Sequence, residues 1–249
     1  MKPKNIYYNF PISIIKEIII RPEDVLSDIV CYSSFAMART FATKRNASGN
    51  IPDIKDFQKA CNALSVDLKD IDAIYNKAIE LFHDNSQKQP FASIPYNMFW
   101  DYFYNVETKT EQEFAEFAAY AAARSIVGRK LYCKTNDKLL FSRMSGFGGI
   151  HSFPKPYTKN GKSHWRISGI DKYCTRKRME RLRMAIATKF GVTVYSSMGI
   201  RGFYLSFKFN YEQIIVDIAK NSKTVFKTKQ DYRERIKRAE QIALKNNTS

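Results

Sequence analysis

The stretch Thr175–Phe209, TRKRMERLRMAIATKFGVTVYSSMGIRGFYLSFKF, changes its hydrophobic period part-way, and that change decides how the chain is read. From Arg176 to Phe190 the apolar residues Met179, Leu182, Ile186 and Phe190 fall in one narrow stripe at about 100° per residue, the mark of a helix with one face on a core. Thr175 occupies the N-cap position. The opposite side carries Lys177, Arg178, Arg181, Met184, Ala185 and Thr188, with Arg176 and Arg183 on a flank. After Gly191 the period falls to two. Val192–Tyr195 is followed by a turn across Ser197–Gly202, and then Phe203, Leu205, Phe207 and Phe209 alternate with Tyr204, Ser206 and Lys208. This predicts a hairpin with one buried face and Arg201 at its tip.

Outward from this stretch the charge is uneven. The chain of 249 residues has a formal net charge of +17. Residues 1–123 hold roughly 13 Lys and Arg against 16 Asp and Glu, whereas residues 124–249 hold roughly 28 against 8. The basic bias therefore belongs to one half, beginning near Arg124, and a field of that size suits a polyanionic partner. With 44% hydrophobic residues the chain can bury a sizeable core.

Toward the N-terminus the pattern is helical and near neutral. Pro22, Glu23 and Asp24 start one helix carrying Val25, Leu26, Ile29, Val30 and Met37; Asp53 starts a second, with Phe57, Cys61 and Leu64; Asp67 starts a third, with Ile71, Ile74, Tyr75, Ala78 and Phe82. The aromatic run Tyr96–Phe103 is assigned to the core between helices. Thr110, Glu111 and Glu113 open an Ala-rich helix that runs to Val127 and stops at Gly128. Leu131–Cys133 is a strand candidate, and Thr135 or Asn136 caps a helix from Asp137 to Ser145. Residues 147–174 read mainly as loop, with His164–Ile167 as a short strand, and Lys229–Lys245 as a charged terminal helix striped by Tyr232, Ile236, Ala239 and Ala243.

From Thr110 to Phe209 the order is helix, short strand, helix, helix, strand, turn, strand, and in this order of elements the chain resembles winged-helix DNA-binding domains. The resemblance covers about a hundred residues and carries no residue motif. It implies that Arg176–Phe190 lies in the major groove of DNA while the tip Ser197–Gly202, with Arg201, reaches the backbone. The 28 residues 147–174 depart from the pattern, which joins its second and third helices by a short turn.

An independent argument favours an anion near this helix. Arg176, Lys177 and Arg178 stand in its first turn, where the helix dipole disfavours cations by about 0.3–1 kcal/mol each, so local stability did not select them. A second candidate surface is the long loop. There Lys155, Lys159, Lys162 and Arg166 alternate with Tyr157, His164, Trp165 and Tyr173, a mixture suited to phosphate contact and base stacking and equally to a solvated loop anchored by Trp165.

Catalytic patterns are incomplete. Gly161-Lys162-Ser163 ends like a phosphate-binding loop, but Pro156 stands where that loop needs glycine. Gly146, Gly148 and Gly149 follow a helix and not a strand, and Asp137, Asp171 and Glu180 are scattered along the basic half. Cys31, Cys61, Cys133 and Cys174 form no C-x-x-C pair, which reads as four reduced thiols in a cytoplasmic protein, at the nucleoid of a bacterium or in a nucleus. No catalytic residue, cofactor or metal is assigned, and no membrane segment is expected.

The sequence thus predicts a mainly α protein in three parts: a near-neutral helical region 1–108 for homo-oligomerisation or partner binding, a basic winged-helix-like α+β domain 109–211 with the insertion 147–174, and a helical tail 212–249. As function it predicts a double-stranded DNA-binding protein, sequence-specific or architectural, acting as a regulator or as a replication or mobile-element accessory factor. An RNA or single-strand binder using residues 151–173, and a scaffold for an acidic protein, are the alternatives.

Overall fold

The computed structural model describes residues 6–44, 52–66, 70–85, 89–149, 151–152, 157–159, 162–164, 169–196, 201–220, 233–234 and 236–241, with the backbone alone at 157–159 and 162–164. The chain is mainly helical. The N-terminal half contains α1 (Glu17–Ile20), α2 (Pro22–Lys44), α3 (Ile54–Ala63), α4 (Ile71–Asp84) and α5 (Tyr96–Tyr104). It also contains two strands that the sequence reading did not anticipate: β1 (Tyr7–Pro11) pairs antiparallel with β2 (Phe91–Pro95), Tyr7 opposite Pro95. Neither five-residue segment alternates cleanly, and their pairing is visible only in three dimensions.

Local chemistry explains most boundaries. Asp53 caps α3 by accepting the Asp56 amide at 2.8 Å. The third helix starts later than expected, because Asp70 and not Asp67 is its cap, accepting from the Ala73 amide. Phe99, Trp100 and Tyr102 of α5 are buried, as the aromatic run suggested, while Tyr104 stands 73% exposed and stacks on Trp100.

The second half begins with α6 (Glu111–Val127), whose Thr110 and Glu113 form a reciprocal capping box. Every residue from Phe114 to Ala123 is buried. Such all-round burial belongs to a helix inside a core, and the alanines let its neighbours approach closely. Around α6 pack α1, β2, α7 (Asp137–Met144) and α8 (Arg176–Thr188), and one buried cluster runs from Tyr8 to Leu205 without a break at residue 108. A smaller cluster joins Phe35 of α2, Phe57 of α3 and Ala78 of α4.

A three-stranded sheet follows: β3 (Cys133–Thr135), β6 (Thr193–Tyr195) and β7 (Phe203–Ser206), in the order β3-β7-β6 and antiparallel throughout. β3 lies two residues beyond the expected Leu131–Cys133. β7 stops at Ser206 and does not continue to Phe209, because the Ser206 hydroxyl accepts the amides of Lys208 and Phe209 and donates to the Leu131 carbonyl at 2.6 Å, which turns the chain. Within 147–174, β4 (Tyr157–Lys159) and β5 (Lys162–His164) form a small hairpin, and a 3-10 turn spans Asp171–Cys174. α9 (Tyr211–Lys220) packs through Ile214, Ile215 and Ala219 against Tyr195, and Ile236 and Ala239 of the helical segment 236–241 join that cluster. The described part of the terminal stripe is therefore packed within the chain. Among the described residues, all four cysteines are free thiols and no helix is long and apolar enough to cross a membrane.

Gly202 shows how closely the hairpin is fitted. It has φ +90°, and a Cβ there would overlap the Thr135 carbonyl at the end of β3. Gly202→Ala combines backbone strain with that clash and is expected to cost about 3 kcal/mol in a urea melt. A wild-type midpoint would contradict this close approach.

Candidate nucleic-acid interface

The rotation of α8 is set by what it buries. Met179, Leu182 and Ile186 are at most 2% exposed, and α8 packs on α6. Thr175 caps the helix through the Arg178 amide, and Lys189 closes it, its Nζ 2.6 Å from Oε2 of the buried Glu116 on α6. These contacts fix both ends of α8, so its other face must turn outward. The helix ends at Thr188, two residues short of the expected Phe190.

The outward face carries most of the residues expected on it. Arg176, Lys177, Arg178, Arg181, Met184 and Thr188 are exposed, Met184 at 62%. Ala185 is a correction: it is buried, because at about 100° per residue it stands about 60° from Leu182 on the shoulder of the packed stripe and cannot meet a partner. Arg178 is exposed but held, its Nη1 donating to the Lys172 carbonyl at 3.0 Å and its guanidinium lying over the Tyr173 ring. The Thr188 hydroxyl donates back to the Met184 carbonyl, so its proton is committed. Lys177 and Arg181 make no ion pair or hydrogen bond among the described residues.

Much of the remaining basic charge is used internally. Arg124 donates Nε to the Ser93 carbonyl at 2.7 Å and lies against the rings of Tyr7 and Phe207, so it joins the two halves and is not offered outward. Lys172 pairs with Glu111, and Lys208 donates to the Arg129 carbonyl. Arg183 places Nε 3.4 Å from Oδ1 of Asp137 and its guanidinium 5.0 Å from the Phe203 ring centroid. Arg143 on α7 has Nε and Nη1 shut from solvent without an acceptor among the described residues, and burial pulls its pKa down.

Arg201 is exposed at the start of β7, next to Gly202, while Ser197–Ile200 lie outside the described residues. In the second candidate surface, Lys159 pairs with Lys162 and Tyr157 with His164 across the hairpin β4–β5, whereas Lys155, Trp165 and Arg166 lie outside the described residues. The structure thus brings α8, the N-terminus of α7 and the base of the β6–β7 hairpin together. A groove beside α8 is lined by Glu180, Arg183, Met184, Ala187, Val194 and Ser196.

Two carboxylates that the sequence left scattered, Asp137 and Glu180, come within electrostatic reach of each other across α7 and α8. Their proximity depends on how those helices pack, for which a linear pattern has no signal. Among the described residues no group of three or more His, Cys, Asp or Glu comes together. Comparison of the chain with protein-family models, with curated proteins and with solved structures finds no match in any of the three.

Asp137 is half-buried, and burial pushes its carboxyl above the ordinary value of 3.8; Glu180 adds to the push while Arg183 and Arg176 oppose it. An acid held more tightly protonated in the fold favours folding at low pH and loses that advantage as pH rises from 3.8 through the raised value. Asp137→Asn stays neutral throughout. Its stability relative to wild type is therefore expected to improve as pH rises from 3.8 through the raised value, read by urea melts; a relative loss over that range would mean that the Arg183 pair outweighs burial.

Proposed function

We propose that the chain is a double-stranded DNA-binding protein that lays the outer face of α8 in the major groove and meets the backbone with the β6–β7 hairpin through Arg201. The observation that carries this reading is the position of Lys177 and Arg181. They stand exposed opposite a packed stripe and unpaired among the described residues, while Arg178 and Arg183 are engaged by a carbonyl, a carboxylate and rings. Long cations without intramolecular partners, on a helix whose inner face is clamped, suit contact with phosphates.

The element order supports a winged-helix arrangement: α6, β3, α7, α8, β6 and β7, with β7 between β3 and β6. Residues 147–174 remain the departure, and they fold back partly as the β4–β5 hairpin. Phosphate contacts would supply most of the affinity, and Met184, exposed between Lys177 and Thr188, is available to base edges. In this reading the protein is a regulator or a replication or mobile-element accessory factor of the cytoplasm or nucleoid, and the near-neutral half serves oligomerisation or a partner.

Removing Lys177 and Arg181 together, each to Ala, is expected to weaken duplex binding by roughly tenfold or more and to lower the slope of log K against log salt by about 2, with the melting temperature unchanged. Unchanged affinity and slope would remove α8 from the interface. Tighter binding to single strands than to duplex would transfer the function to the 157–164 hairpin.

A further inference from the structure

A carboxylate stands on the cationic face of α8. Glu180 is exposed, one helical turn from both Arg176 and Met184, and on the same side as Lys177 and Arg181. Among the described residues it makes no ion pair or hydrogen bond. Arg183, three residues on, lines the same groove as Glu180, with its Nε in an ion pair 3.4 Å from Oδ1 of Asp137 and its guanidinium over the Phe203 ring. Asp137 and Phe203 thus engage this cation, and no ion pair joins it to Glu180 among the described residues.

Against a plain phosphate surface an unpaired carboxylate is a defect, since it repels the partner. It becomes useful where the partner presents an amine. In the major groove cytosine offers its N4 amine with no acceptor on its own base edge, whereas adenine carries N7 beside its N6 amine, and that lone pair repels a second carboxylate oxygen. The groove around Glu180 is partly apolar, lined by Met184, Ala187 and Val194. Such surroundings raise the cost of leaving the carboxylate unmatched and so sharpen the choice of base.

We infer that Glu180 is a specificity-determining residue that accepts from a cytosine N4 amine, so that the preferred duplex carries a C·G pair at one fixed position while Lys177 and Arg181 hold the flanking phosphates. This rests on the DNA-binding reading above and adds sequence selection to it.

The test is selection from a randomised duplex pool by the full chain and by Glu180→Ala, with affinities for the selected and for random duplex measured beside it. Wild type is expected to enrich cytosine at one position with roughly tenfold preference. Glu180→Ala should lose that preference at that position alone, retain the others, and bind random duplex about two- to fivefold more tightly because a repulsive charge is gone. Its melting temperature should match wild type, since the side chain is exposed and unpaired. The same enriched motif in both proteins, or binding by wild type with no motif at all, overturns the inference and leaves DNA binding standing. No binding of wild type to any duplex at low salt overturns both.

Discussion

The structure depends on the close packing of α6. Its Ala-rich, fully buried middle lets helices and strands from both halves approach one axis, and the cluster that runs from Tyr8 to Leu205 closes around it. α8 inherits its orientation from this helix. Met179, Leu182 and Ile186 face α6, Lys189 binds Glu116, and the rotation that results exposes Lys177, Arg181 and Met184. Neighbours packed this closely have little room for larger side chains on α6, because interiors at crystalline density pass added volume on as displacement.

The charge of the second half divides by use. Arg124, Lys172, Arg178, Arg183, Lys189 and Lys208 bind groups of the protein itself. A net charge read along the chain does not separate these from cations available to a partner. What distinguishes α8 is that Lys177, Arg181 and Glu180, which make no ion pair or hydrogen bond among the described residues, share one side with the exposed Met184, next to a hairpin whose base is held against β3 through Gly202.

Features set by neighbours in the chain were legible in the sequence. The caps at Asp53, Thr110, Asn136 and Thr175 need only a side-chain oxygen three residues before an amide, and the stripe of α8 needs only the period of a helix. Features set by distant partners were not. β1 and β2 pair across more than eighty residues, with Tyr7 opposite Pro95. Ala185 looked available because a small residue at the edge of a stripe is ambiguous in rotation, and packing resolved it inward. The use of Arg178 by Tyr173 and of Arg183 by Asp137 and Phe203 likewise emerges from packing between elements, so the helix face read from the sequence offered more side chains than the packing leaves uncommitted.

The most direct measurement is photocrosslinking from a benzophenone amino acid placed at Met184, the exposed centre of the outer face, with a second protein carrying it at Ser163 in the β4–β5 hairpin as comparison. With duplex DNA at low salt, position 184 is expected to crosslink to bases, and the crosslink should fade as salt is raised. Crosslinks from position 163 with none from 184 would contradict the account, because they would place the partner on the hairpin and leave the outer face of α8 empty.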